Sequence, residues 1–317
     1  MIRQEILEGL LPITDEERDI LDGRGGIDKT IYTTSGGNVI NSVRLLDEGR
    51  IISVRKHTRF VHFPRHTHDY IEAVYMCAGK TTHIINGKET VLREGELLFL
   101  GRGASHEILP AEEGDIAVNF IIRPAFFDKT LEMLGGEKTP VKSLLISSLF
   151  DRESQGYLHF KVSGVLPIQN LVENLLWTLL SAENDDSAVN QVTMALLFMQ
   201  LMDRADTLAY ESREEEAILK VLRYIEDNYR DASLKSAANL LHYDFYWLSH
   251  EIKNRTGKTY TEHLQEKRLS QAALLLKSTH LSVEDVALAV GYENKSYFHR
   301  IFTERFGQTP RKYAKLK

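Results

Sequence analysis

The sequence predicts an α+β protein of two domains: an N-terminal β-barrel with accessory helices, then an all-α C-terminal domain. Three observations carry that reading. Short β-rich runs, punctuated by turn residues, fill the stretch from Ile51 to Ile122. Apolar residues switch to helical spacing after Pro124. A segment near the C-terminus then repeats itself. The 317 residues suffice for two ordinary cores, and 43% apolar with 26% charged residues is the composition of a folded globular chain.

Residues 1 to about 55 alternate short apolar runs with Gly-rich turns, and read as an N-terminal arm and the first strands. Val61–Met76, Thr81–Ile85, Thr90–Leu92, Leu97–Leu100 and Ile116–Ile122 read as strands. NGK, REGE, GRGAS and EEGD turns separate them. That spacing suggests a small antiparallel barrel or sandwich. Ile168, Leu171, Val172, Leu175, Leu176 and Leu179 fall on one helical stripe, and a second helix runs from about Val189 to Ala205. Residues 208–215 are charged and aperiodic, as a linker would be. From Glu216 onward the pattern is helical, with N-caps at Ser233, Asp244, Ser282 and Asn294. The resulting segments are 1–130 for arm and barrel, 131–215 for a helical dimerisation segment and linker, and 216–317 for the C-terminal domain.

The net charge of −6 is unevenly spread. Residues 216–317 hold 17 basic and 12 acidic side chains, a net of +5, against −11 for the rest. A basic tail on an acidic body suggests that only the tail meets a polyanion. A single cysteine, Cys77, leaves no intrachain disulfide framework and is expected to be a buried structural thiol. Charges interrupt the N-terminus every few residues, and no stretch reaches the ~18 apolar residues of a membrane span. A cytoplasmic protein without a membrane partner is expected.

The repeat is the most specific signal. The segment from Ser233 matches the segment from Ser282: Ala238 pairs with Ala287, Leu241 with Val290 and Tyr243 with Tyr292. After a one-residue insertion, Leu248 pairs with Phe298, Ile252 with Phe302, Gly257 with Gly307 and Thr259 with Thr309. Each copy reads as a small helix, a tight turn and a second helix stopped by Gly. That is a helix-turn-helix, whose second helix enters the major groove of DNA. Ala238 and Ala287 sit where helices must cross closely, and Gly291 where a positive φ is easy. Between the copies, Tyr260–Lys277 reads as one amphipathic helix carrying Leu264, Leu269, Ala272, Leu275 and Leu276. Such a rod could present both recognition helices to successive groove turns.

With the stretches RTGKTYTEHLQEKRLSQAALLLKST and VALAVGYENKSYFHRIFTERFGQTPRKY, the tail resembles the AraC/XylS family of transcription regulators over about a hundred residues. The resemblance implies a seven-helix domain that binds promoter DNA. Leu248 and Ile252 face inward, as their partners Phe298 and Phe302 do. The outward faces then carry Tyr246, Ser249, His250 and Lys253 on the first recognition helix, and Asn294, Lys295, Ser296, His299, Arg300 and Thr303 on the second. Arg300 is the leading base reader, because guanidinium pairs bidentately with guanine. Lys253, Lys258, Arg311 and Lys312 are expected to neutralise phosphates. Two residues depart from the family pattern: His250 stands where Arg is common, and Glu251 where an apolar residue is common.

In the N-terminal domain the period of two places His66, His68, Tyr70, Glu72, Val74 and Met76 on one face of a strand. His66, His68, Glu72 and Gly79 match the first motif of the cupins, H-x-H-x3-E-x6-G. The second motif is met by Gly95, Gly103 and His106, with Gly101 in place of Pro and Pro110 in place of Asn. The resemblance implies a cupin-like barrel. Three readings stay open: a divalent metal held by His66, His68, Glu72 and His106; a metal-free ligand pocket lined by those four with Tyr70, Tyr75, Phe99 and Phe120; or a purely structural barrel.

The expected whole is a non-enzymatic regulator. A small-molecule effector enters the barrel, the helices around Ile168 to Ala205 form a homodimer, and the tail binds double-stranded promoter DNA, with RNA polymerase a further expected contact. The alternatives are a cupin metalloenzyme (a non-haem oxygenase or isomerase) joined to a DNA-binding domain, and a DNA-binding regulator without an effector.

Overall fold

The structure, a computed structural model, describes residues 3–34, 37–127, 139–150, 156–180, 187–204, 207–209 and 213–315. The chain divides into two compact units, Met1–Gly136 with Leu145–Ala209, and Glu137–Leu144 with Tyr210–Lys317. The expected boundary at residue 130, the expected helix end at Ala205 and linker residues 210–212 lie outside the described residues. Residues 145–209 belong to the same unit as the strands.

The first unit is built on two five-stranded sheets. One runs in the order β1 (Val39–Ile40), β3 (Phe63–His68), β8 (His106–Ile108), β5 (Lys80–Ile85) and β6 (Lys88–Arg93). The other runs β10 (Tyr157–Phe160), β7 (Leu97–Leu100), β4 (Ile71–Ala78), β9 (Ile116–Ile122) and β2 (Ile52–Lys56). Pairing is antiparallel except for β1 with β3. Val74, Met76, Leu98, Leu100 and Ala117 of one sheet pack against Ile85 and Leu92 of the other, a dry seam between the layers. β4, β7 and β9 are near-continuous apolar runs because both of their faces are covered. The Asn86–Gly87 turn joining β5 to β6 has both residues at positive φ, as a two-residue hairpin requires.

Two expectations for this unit are corrected. The N-terminal stretch holds four short helices beside the expected first strands: α1 is Gln4–Leu10, α2 Asp15–Leu21, α3 Lys29–Tyr32 and α4 Ser42–Leu45. The missed signal is a capping box, in which Thr14 and Glu17 satisfy each other's backbone N–H ahead of an acidic first turn. Glu17 then reaches the barrel, accepting from Arg59 Nε at 2.7 Å, Arg59 Nη2 at 2.9 Å and Lys56 Nζ at 3.0 Å. Burial opposes ionisation of Glu17, but hydrogen bonds from Arg59, Thr14 N and Lys56 outweigh it and bring its pKa down to about 2.

The second correction is that Val61–Met76 is not one strand. It breaks at Asp69–Tyr70, and β3 and β4 lie in different sheets. The Asp69 carboxylate accepts from Ser42 N at 2.7 Å and Asn41 Nδ2 at 3.4 Å, which fixes the corner. β10 was also missed, since three apolar residues and His159 inside a helical context give no period of their own.

After a helix α5 (Pro140–Phe150), α6 (Leu166–Leu180) and α7 (Ser187–Met202) follow the expected stripe closely. Ile168, Val172, Leu175 and Leu176 of α6 are buried.

The second unit holds α8 (Arg213–Asn228), α9 (Leu234–Leu241), α10 (Phe245–Thr256), α11 (Tyr260–Ser278), α12 (Val283–Ala289), α13 (Lys295–Phe306) and α14 (Pro310–Ala314). All four expected N-caps are present: Ser233, Asp244, Ser282 and Asn294 each accept from a backbone N–H three residues on. The paired core positions Leu248/Phe298 and Ile252/Phe302 are buried, as are Ala238 and Ala287. Gly257 and Gly307 close α10 and α13 in the left-handed region. Gly291 has φ +91°, and a Cβ there would collide with the Arg230 carbonyl oxygen. His242 occupies the equivalent place in the first copy, with φ 57°.

Gly291→Ala should therefore lower unfolding stability by about 1–3 kcal/mol, because both strain and collision penalise it. His242→Gly should stay within about 1 kcal/mol of the parent or exceed it, because only the strain is relieved. Denaturant melts of the two variants read the difference, and a more harmful His242→Gly would contradict the equivalence of the copies.

Candidate effector cavity and DNA-facing helices

Antiparallel pairing of β3 with β8 sets His66 beside His106. His68 lies two residues on, so all three imidazoles share the inner face of one sheet. Glu72 comes from β4, across the gap in the other sheet. Its Oε2 stands 3.4 Å from His68 Nε2 and 3.6 Å from His106 Nε2, and those two nitrogens are 3.3 Å apart. The three histidines offer ring nitrogens within 4.8 Å of one another. The four residues meet as expected, although through two sheets and a corner instead of one strand. His66 Nδ1 donates to Pro64 O at 2.8 Å, which leaves Nε2 with its lone pair.

Burial governs the electrostatics. It lowers His57 and His66 to about 4 and takes His68, His83 and His106 well below the ordinary imidazole value. These rings are neutral near pH 7. Burial raises the Glu72 carboxyl to about 8, against a hydrogen bond from Asn119 Nδ2 to Oε1 at 3.0 Å. Glu72 Oε2, Asn119 Oδ1 and the Nδ1 atoms of His68 and His106 are buried without a hydrogen-bond partner. Three neutral imidazoles and a carboxyl that a cation would ionise are a donor set that fits a divalent metal.

A cavity of about 440 Å³, open in part to solvent, adjoins the cluster. His66, Tyr70 and Glu72 line it. Tyr75, Phe99 and Phe120 do not, nor do His68 and His106 of the cluster, and for these five the expected lining role is corrected. Register pairs Ala73 with Phe99 and with Phe120, so these two rings share the face opposite Glu72, as does Tyr75. Phe99 packs on Phe160 and on Phe198 of α7, and Tyr75 Oη donates to Gln169 of α6. The period of two already placed Tyr75 out of step with Glu72. The lining residues that sequence reasoning missed include Tyr32, Arg55, Asn119 and Ile121. An Asn inside the apolar run IAVNFII was the one available signal. Cys77 is buried, as expected.

In the second unit Tyr246, Ser249, His250 and Lys253 are all exposed on α10, with Tyr246 at 80%. On the second helix Asn294, Lys295, Ser296 and Arg300 are exposed, while His299 and Thr303 are half-buried. Asn294 spends its side-chain oxygen on Tyr297 N at 2.9 Å. Thr303 Oγ1 donates to His299 O at 2.8 Å. The Arg300 guanidinium lies over the Tyr297 ring and 3.0 Å from Glu304. Glu251, the departure from the family pattern, pairs with Arg255 at 3.1 Å. Lys258 is tied to Glu266 of α11 at 2.8 Å, and Arg305 approaches the same carboxylate at 3.7 Å. Arg311 and Lys312 are exposed at the start of α14.

Of the stripe expected to bind a second copy, Ile168, Val172, Leu175 and Leu176 are buried within their own unit, and Leu171 and Leu179 are half-buried. A different set is exposed: Leu166, Trp177 and Leu180 on α6, and Val189, Val192 and Leu196 on α7.

Residues 51–222 match the family described as an AraC-like ligand binding domain, and residues 237–316 match a helix-turn-helix domain. The HTH-type transcriptional activator RhaS of Yersinia pestis is 25% identical over 254 residues, which covers 78% of this chain and 88% of that one. The RhaS of Klebsiella pneumoniae is 25% identical over 257 residues, covering 78% and 86%. Among solved structures, ToxT of Vibrio cholerae with bound unsaturated fatty acid is 14% identical, with a TM-score of 0.37 over 83% of this chain and 94% of that one. The C-terminal domain of AraT from Geobacillus stearothermophilus is 30% identical, with a TM-score of 0.31 over 33% and 89%.

Proposed function

Because the chain belongs to the AraC family of transcription regulators, we propose that its effector binds in the cavity beside His66 and Glu72 and that α10 and α13 read promoter DNA. The chain is a DNA-binding transcription regulator with a ligand-binding domain and a helix-turn-helix domain. The curated relatives are transcriptional activators, which favours regulation over catalysis. Such a protein works at the chromosome, in the cytoplasm. No described helix is long and apolar enough to cross a membrane.

The observation that carries the DNA reading is the exposure of equivalent faces on two copies of one bundle. Ser249 and His250 on α10, with Ser296 and Arg300 on α13, are proposed to meet base edges, and Lys253 a phosphate. Lys295, Arg311 and Lys312 are proposed to meet phosphates, and Lys258 would first have to leave Glu266. Binding sites that abut the polymerase-binding element would fit a direct contact with RNA polymerase. Arg300→Ala should weaken binding and relax one base position by about 1–3 kcal/mol in a genome-wide footprint. An unchanged site preference would remove Arg300 from the reading face.

A second reading concerns a cation. The donor geometry favours His66, His68, His106 and Glu72 holding a divalent metal, which would link the two sheets and offer a Lewis-acidic contact to an effector. The ligands must be unprotonated, so affinity should rise as pH rises through about 8, where Glu72 ionises. Metal retained by purified protein should drop on Glu72→Gln and vanish in the double variant His66→Ala, His68→Ala. Equal metal content in all three would defeat the reading.

The exposed apolar face of α6 and α7 is proposed to pair with a second copy. Sedimentation at micromolar concentration should report a dimer, and Trp177→Glu with Val192→Glu should give monomers. A monomeric parent chain would overturn the pairing.

A further inference from the structure

We infer that the barrel cavity takes a small hydroxylated carboxylate, a sugar acid or hydroxy acid, anchored by Arg55 through its carboxylate and by Asn119 through a hydroxyl. The inference rests on the reading of the cavity as the effector site, and names the ligand's chemistry.

Arg55 stands on β2 directly opposite Asn119 of β9, which in turn faces Val74 on the Glu72 side of β4. Its guanidinium lines the cavity, half-buried, and lies 5.2 Å from the centre of the Tyr32 ring. Among the described residues it has no hydrogen bond and no carboxylate partner. The neighbouring charges are all engaged. Lys56 is held by Glu17 and by Pro12 O. Arg59 is held by Glu17, Glu113 O and Leu11 O. Glu16 takes the hydroxyls of Tyr32 and Thr58. One cation on the cavity wall is thus left for a ligand to match. A planar guanidinium suits a carboxylate, which it can hold by two parallel hydrogen bonds. A dianionic phosphate would call for a second cation, and Lys56 is committed to Glu17.

The polar wall asks for more than charge. Asn119 Nδ2 donates to Glu72, but Asn119 Oδ1, which faces the His57 ring, and Glu72 Oε2, 3.4 Å from His68 Nε2, are buried without a well-formed hydrogen bond. Buried polar atoms left unpaired are costly. A ligand hydroxyl both donates and accepts, so it satisfies either end of the amide and either protonation state of the carboxyl. A metal at the histidines would use Glu72 and still leave Asn119 unpaired. Ile40, Leu45, Phe63, Ile108 and Ile121 close around a compact body.

The test uses the full-length chain with a chelator present and four probes that separate charge from hydroxyls: D-gluconate, D-glucuronate, D-glucose and hexanoate. Thermal melting and calorimetric titration are the readouts. Gluconate or glucuronate should raise the melting temperature, while glucose and hexanoate at equal concentration should not. Arg55→Gln should weaken acid binding by about tenfold or more, with partial recovery in Arg55→Lys. If Arg55→Gln does not fold, the four-probe comparison on the parent chain decides. Glucose binding as tightly as gluconate, hexanoate binding as tightly as gluconate, or silence from all four probes would each overturn the assignment. The effector reading is judged apart from it, in cells. Ile121→Trp fills the cavity and should change transcript levels at bound promoters, and unchanged transcripts would sink that reading whatever the probes show.

Discussion

The spacing of α10 and α13, the two helices proposed to read DNA, depends on one buried stripe along α11. Tyr260, His263, Leu264, Leu269, Ala272, Ala273 and Leu276 run its 19 residues, about 28 Å at the α-helical rise. The N-terminal half packs toward α8 and α10, the C-terminal half toward α12 and α14. Its start is fixed twice: the capping box of Thr259 with Glu262, and His263 Nε2 held at 2.7 Å by Thr256 Oγ1 from the end of α10. Glu266 then receives Lys258 from the first copy and Arg305 from the second. A single rigid element therefore sets both the distance and the rotation between two small bundles, neither of which has a core large enough to fix them alone.

The helical domain was readable because its determinants are local. An N-cap needs one side chain and the backbone three residues on, so Ser233, Asp244, Ser282 and Asn294 could be named from sequence. Self-similarity did the rest, and even the left-handed slot shows as Gly291 in one copy. Its counterpart, His242, gives no such sign. The barrel was less legible. The histidine spacing identified the cluster, but the corner at Asp69 depends on a carboxylate meeting Ser42 from far along the chain. Which aromatic rings face the cavity is decided by cross-strand register, and Phe99 and Phe120 cannot be assigned a side until their partner Ala73 is known. Arg55 carries no sign of its place on the cavity wall for the same reason.

The first unit treats buried charge in two ways. Around Glu72 it avoids charge: the rings lose their protons, the carboxyl keeps its own, and no counter-ion is needed. At Glu17 it keeps charge, and surrounds it. Arg59 is fully buried yet directs its donors to Glu17, Glu113 O and Leu11 O, so its guanidinium meets acceptors on every side. Lys56, next to this pair, opens onto the cavity wall.

The carboxylate of Glu17 serves two masters at once, the first turn of its own helix and a guanidinium across the fold. Lifting α2 away would leave Arg59 buried with its counter-charge gone and only backbone carbonyls to meet it. The start of the chain is consequently not an appendage that can be trimmed for convenience. A shortened version beginning after residue 17 would carry a stranded positive charge at its centre, and preparations of the isolated barrel need those opening helices to be sound.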